Sequence, residues 1–137
     1  MSAQRLSKQT IMLSEMLARN TSNWTPPQLH GGKIVVHGHC HQKALMTMND
    51  EMKLMRSTGA EVSLLDSGCC GMAGPFGFEK DKFEVSQTLA ERVLLPAVRG
   101  AAEGTILVTN GFSCREQIRQ NTDRGAVHLA AVLAGDC

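Results

Sequence analysis

The sequence has no tyrosine, one tryptophan and four phenylalanines in 137 residues, so the aromatic platforms on which single-strand nucleic-acid binders stack bases are scarce. It also lacks an excess of either charge. Fourteen Lys and Arg face thirteen Asp and Glu, a formal net of +1, and with no run of like charge the chain offers no footprint for a phosphate backbone. No stretch approaches the ~18 apolar residues of a membrane span. The opening Met1-Ser-Ala-Gln-Arg-Leu lacks the uninterrupted apolar core of a secretion signal. A cytoplasmic protein is expected, without nucleic acid or a membrane span, peripheral to a membrane only through partners. The absence of any Cys-x-x-Cys frame disfavours a thiol–disulfide enzyme working through Cys69 and Cys70.

What is there suits one folded domain. Apolar residues make up 42% and charged residues 20%, and a chain of this length buries about 68–70% of its unfolded surface. Five cysteines, an odd number, in a reducing compartment point to metal binding or redox chemistry rather than a disulfide framework.

Helical spacing of Leu6, Leu13, Met16 and Leu17 predicts an opening helix over 7–19, ended by a loop that begins at Asn20. Lys33-Ile-Val-Val-His37, entered through Gly31-Gly32, reads as a buried strand. Leu45, Met48, Met52 and Met55 predict a helix over 42–58, with Gly59 as its stop. A strand over 61–66 leads to a glycine-rich loop over 68–77. A longer helix starts near Glu79 with Phe83, Val85, Leu89 and Val93 on its buried face, and Pro96 kinks or ends it. A third strand over 105–109, a helix over 113–121 and a fourth strand over 126–129 with a helical turn beyond complete the pattern. Alternating strands and helices imply crossover connections. The expectation is a single three-layer α/β domain, a mainly parallel sheet of about four strands with helices on both faces. Residues 1–31 form an N-terminal helix and loop, and residues 32–137 the α/β domain.

One weak repeat carries the functional reading. Strand one ends in His37-Gly-His-Cys40, strand two in Asp66-Ser-Gly-Cys69-Cys70, and strand three in Asn110-Gly-Phe-Ser-Cys114. Parallel strands present their C-terminal ends on one side, where open α/β sheets gather ligands, so Cys40, Cys69, Cys70 and Cys114 can meet there as metal ligands. Cysteine is often a small buried hydrophobe, yet core cysteines fall inside elements and all four of these lie in turns just past strand ends. A single zinc ion takes four donors at tetrahedral angles, and the adjacent Cys69 and Cys70 side chains tend to diverge. An iron–sulfur cluster spreads several metals over a few ångströms, so neighbouring thiolates can address different irons. The pair therefore favours an iron–sulfur cluster, taken as 4Fe-4S for four thiolates, with zinc as the alternative.

Such a centre carries negative charge, which helix N-termini answer. Lys43 and Arg115 fall in the first turns of the helices after Cys40 and Cys114, Gly71, Gly74 and Gly77 let backbone N–H groups approach sulfur, and Gly111 is a further supporting position. His37, His39 and His41 alternate. His41 is expected as a hydrogen-bond support and His39 as a reserve ligand, because the Asp-His pair of a zinc hydrolase is missing. Cys137 ends the chain and is not expected to ligate.

At His37-Gly-His-Cys-His-Gln-Lys43, Asp66-Ser-Gly-Cys-Cys-Gly-Met-Ala-Gly74 and Asn110-Gly-Phe-Ser-Cys-Arg-Glu-Gln117 the chain resembles the CCG, or cysteine-rich, domain family. That family includes the iron–sulfur subunit of glycolate oxidase and the B subunit of heterodisulfide reductase. The similarity is greatest to the C-terminal CCG segment of FAD-linked D-2-hydroxy-acid oxidases of the D-lactate type. The resemblance implies an iron–sulfur electron-transfer module that passes electrons from a flavin domain to an acceptor. Its partners would be FAD-binding and ferredoxin-type iron–sulfur domains or subunits, FAD residing only on a partner. No residue is assigned a catalytic role, and the module is not expected to oxidise substrate alone. The heterodisulfide-reductase pattern closes with Cys-x-x-Cys, whereas Gly111-Phe-Ser-Cys114 stands here; four thiols rather than five favour a conventional four-iron cluster or zinc.

Overall fold

The computed structural model describes residues 2–19 and 23–137. Three short strands, β1 (Lys33–Val36), β2 (Glu61–Leu64) and β3 (Ile106–Val108), form a parallel sheet in the order β2-β1-β3. Ile34 lies opposite Val62 on one side and Ile106 on the other. The β-branched run of β1 takes the centre, where both faces are buried.

The expected fourth strand reduces to a single parallel bridge between Val108 and Val127. Thr109 N donates to Val127 O (3.0 Å) and Val127 N to Leu107 O (2.8 Å). Pairing stops there because His128 already caps the final helix, α8 (Leu129–Ala134), its Nδ1 accepting from Ala130 N at 3.0 Å.

Helices cover both faces. Alternation along β1 sends Ile34 and Val36 into one core, with Val108 and with residues of α2 (Leu13–Arg19), α4 (Asn49–Arg56) and α8. Val35 and Leu107 face the other core, with Leu94 and Val98 of α6 (Leu94–Gly100) and Cys114 and Ile118 of α7 (Phe112–Asn121). Cys70 belongs to that second core, which places it beside Cys114.

Four element boundaries differ from expectation. The opening helix is two, α1 (Ala3–Gln9) and α2. Between them Thr10 turns extended, its hydroxyl donating to Leu6 O at 2.9 Å, a local bond that competes with helix continuation. The Glu15 carboxylate then accepts from Met12 N at 2.7 Å and starts α2 afresh. The loop predicted from Asn20 begins at positions 20–22, outside the described residues, and 23–32 hold no helix or strand.

The helix predicted over 42–58 divides into α3 (Cys40–Leu45) and α4, with Met46 extended at φ −137°. Leu45, expected inside, is exposed. The break lets α3 end while Gln42 Nε2 reaches the buried Glu51 carboxylate, which also accepts from Ser14 Oγ at 3.0 Å. That last bond and Leu17 fasten α2 to the first core.

The third difference concerns α5 (Phe83–Glu91), which follows two 3-10 turns at Phe76–Phe78 and Lys80–Lys82 rather than starting near Glu79. Its buried residues are Ser86 and Ala90, whereas Phe83 and Val85 are about half exposed at 56% and 50%. Small residues face inward because the backbone of the Cys69–Gly71 corner packs there: a Cβ on Gly71 would fall 2.1 Å from Ser86 O. Pro96 ends nothing. It sits in the first turn of α6, where a missing N–H costs nothing, and the break comes before it, at Val93 (φ −144°).

Candidate metal centre

The three strand ends bring the cysteines to one side of the sheet, but only Cys70 and Cys114 stand, with His37, in a group of ligand atoms within 4.8 Å of one another, and Cys40 and Cys69 lie outside that group. Cys40 opens α3, Cys69 and Cys70 lie in the loop after β2, and Cys114 lies in the first turn of α7. All four are free thiols, Cys70 and Cys114 buried, Cys40 and Cys69 half-buried.

They fall into two pairs of neighbours. Cys40 faces Cys69, and burial followed by that neighbouring sulfur pushes the Cys40 thiol above its usual range. Cys70 faces Cys114: the hydrogen bond it gives to Cys114, reinforced by burial, pushes Cys70 up and draws Cys114 down. Each pair senses the other, since a charge on Cys70 bears on Cys40 and charges on Cys40 and Cys69 bear on Cys114.

Among the described residues one group of three ligating side chains comes together: a ring nitrogen of His37, Cys70 Sγ and Cys114 Sγ, all within 4.8 Å of one another. His37 is buried at the end of β1, its Nδ1 2.7 Å from Ser67 Oγ. Two buried side-chain atoms have no hydrogen-bond partner of normal geometry among the described residues, His37 Nε2 and Thr109 Oγ1, and both residues neighbour the Cys70–Cys114 pair. Buried polar atoms without partners are rare. Soft sulfur donors with imidazole beside them suit zinc or an iron–sulfur centre, so these residues can hold a metal.

Gly71 N donates to Cys69 Sγ at 3.4 Å, with Gly71 at φ +90°. Gly111 caps α7 where a Cβ would meet His39 Cδ2 at 2.5 Å and Cys114 Sγ at 2.9 Å. His39 therefore sits against the Cys114 corner, half-buried, its basicity reduced by burial and by the nearby His41 and His37. His41 is exposed. Lys43 Nζ donates to Ser67 O, tying the first corner to the second. Arg115 spends its guanidinium on the carbonyls of Thr109 and Asn110, both at 3.1 Å, and so braces the end of β3. Cys137 is exposed at the chain end.

Two residues of the site escape a reading of the sequence. His37 stands there as one of three alternating histidines, although its step of two from the core-facing Val35 aims it at the second core. Gln117 is buried in α7 and donates through Nε2 to Cys70 O (2.8 Å) and Ser86 Oγ (3.0 Å), pinning the Cys–Cys corner between α7 and α5.

Comparison with known proteins adds context. The chain is 31% identical over 103 residues to the C subunit of the anaerobic glycerol-3-phosphate dehydrogenase of Escherichia coli (strain K12), a match spanning 74% of this chain and 26% of that relative. It is 29% identical over 104 residues to the D-2-hydroxyglutarate dehydrogenase of Pseudomonas putida, covering 74% of this chain and 10% of the relative. With the D-2-hydroxyglutarate dehydrogenase of E. coli it shares 26% identity over 125 residues, 90% of this chain and 12% of the relative. The chain thus spans about a quarter or less of the length of these dehydrogenases. No family model matches it, and no solved structure matches it significantly.

Proposed function

We propose that residues 32–137 are a CCG-type iron–sulfur electron-transfer module of a larger dehydrogenase acting on a 2-hydroxy acid or a related alcohol. Cys40, Cys69, Cys70 and Cys114 hold the cluster, 4Fe-4S in type. Electrons pass from a flavin on a partner domain through the module to an acceptor. The observation that carries the reading is four thiols from three separate strand ends close enough to influence one another, Cys70 and Cys114 lying within 4.8 Å of each other and of a His37 ring nitrogen, with polar atoms that lack normal hydrogen bonds buried beside them. Similarity to segments of dehydrogenases supports a redox role over a merely structural one.

The bound cluster would supply one-electron chemistry. The chain's own residues do the rest. Gly71 N–H donates to Cys69 sulfur, and Gln117 and Lys43 fix the backbone of the Cys–Cys corner. Burial of Cys70 and Cys114 excludes water from the inner pair, while the half-buried Cys40 and Cys69 leave an outer edge accessible to a partner.

Zinc is the second reading, favoured by the mixed donor set of His37, Cys70 and Cys114; the module would then serve docking. Protein purified without oxygen separates the two. Iron and acid-labile sulfide in equal amount, with an EPR signal on reduction, are expected. Stoichiometric zinc with no sulfide rejects the cluster and leaves the docking role.

A further inference from the structure

We infer that a single thiophilic ion in the site is ligated by His37 through Nε2 together with Cys70 and Cys114 as a buried triad, with Cys40 or Cys69 left to fill the fourth position. This rests on the single-ion reading of the site, since a four-iron cluster held by four cysteines has no position left for a fifth donor, and it adds a nitrogen donor to a site otherwise built of sulfur.

The backbone fixes the ring first. His37 N donates to Val108 O at 2.9 Å, extending the β1–β3 ladder by one residue beyond the named strand. Strand alternation then sets direction: Val36 packs into the first core and Val35 against the second, so residue 37 joins Val35 on the side of Cys70 and Cys114. Hydrogen bonding sets which nitrogen is free. Nδ1 is engaged by Ser67 Oγ at 2.7 Å, which leaves Nε2, buried and with no hydrogen bond of normal geometry among the described residues, on a ring close enough to Cys70 to draw its thiol down. A histidine that donates one ring N–H to a fixed acceptor while offering the other nitrogen is how metal-bound imidazoles are oriented.

Distance allows it. Donors on one tetrahedral ion at metal–sulfur distances of about 2.3 Å and metal–nitrogen distances of about 2.0–2.1 Å lie roughly 3.5–3.8 Å apart, and a ring nitrogen of His37, Cys70 Sγ and Cys114 Sγ lie within 4.8 Å of one another. A contraction of about an ångström, well within side-chain rotation, closes the triad on a thiophilic ion. Ser67 is then a positioning residue. It sits in the turn before Cys69, and its own carbonyl is held by Lys43, so the corner that carries Cys70 also orients the imidazole.

Cadmium-113 added to the metal-free full chain, prepared without oxygen and labelled with 15N-histidine, tests this without reference to any cluster. One histidine Nε2 resonance should shift and show coupling to 113Cd, while its Nδ1 stays protonated. In His37→Ala the coupling should vanish with cadmium still held by thiolates. Ser67→Ala should keep the coupling and lose about 10–100-fold in cadmium affinity. Bound cadmium with no 15N coupling in the wild-type chain overturns the inference, as does a coupling that survives in His37→Ala and so belongs to another imidazole such as His39. If His37→Ala does not fold, assignment of the coupled resonance in the wild-type chain decides alone. A chain that binds no cadmium overturns this inference together with the metal reading, whereas bound cadmium in a protein that never carries sulfide overturns only the cluster.

Discussion

Gly71 holds the corner that carries Cys69 and Cys70. Its φ of +90° lies where L side chains are strained, and an added methyl group would meet the Ser86 carbonyl oxygen at 2.1 Å, a backbone atom that cannot rotate aside. Gly71→Ala should therefore cost at least about 1–3 kcal/mol from backbone strain alone, and thermal unfolding of the variant measures it; an unchanged melting temperature would mean the corner does not pack on α5. Protons make a second prediction at this scale. Cys40 and Cys70 are both pushed above the usual thiol range, so each keeps its proton at neutral pH and must release it to a metal. Affinity for zinc should thus rise steadily from pH 6 to pH 8, with proton release detectable in weakly buffered solution; a pH-independent affinity would mean the thiols are already ionised. The cysteines were legible because strand, glycine and cysteine recur three times in the sequence. Gln117 was not, because a helical glutamine carries no mark of a carbonyl 47 positions upstream that needs its amide.

At the scale of elements, α5 and α6 separate what hydrophobic spacing can and cannot reveal. The spacing of Phe83, Val85, Leu89 and Val93 announced a helix, and α5 is one, yet the side turned inward carries Ser86 and Ala90. Periodicity reports that a helix has an apolar face, not which neighbour occupies the opposite one; here the close approach of the Cys–Cys corner demands small residues. Phe83→Ser and Val85→Ser should accordingly shift stability of the chain by no more than about 0.5 kcal/mol. Leu94→Ala or Leu95→Ala in the fully buried start of α6 should cost about 2–5 kcal/mol. Denaturant unfolding of the four variants compares them directly, and comparable losses in both sets would put α5 the other way round. The strands were more readable, since β-branched runs bounded by glycine have few other uses. The fourth strand failed because Val127 pairs and the next residue must already cap α8, a constraint imposed by the fold rather than by local composition.

For the molecule as a whole, the two faces of the sheet divide labour. The core under α2, α4 and α8 contains none of the four clustered cysteines, whereas the core under α6 and α7 includes Cys70 and Cys114 as packing residues. A metal bound there joins the end of β1, the loop after β2 and the start of α7, segments that otherwise meet through a few hydrogen bonds such as Lys43 to Ser67 and Gln117 to Cys70. Its removal should act on those segments selectively, because the first core keeps Ile34, Val36, Met55, Leu129 and Val132 buried whether or not the thiols are bridged and local stability follows local packing. Hydrogen exchange of the chain before and after chelation should show protection lost over 66–78 and 110–117 and retained in β1 and α4. Were chelation to release α4 at the same rate as the Cys–Cys corner, the metal would be a condition of folding itself, and the first core could not be the independent platform on which the centre is mounted.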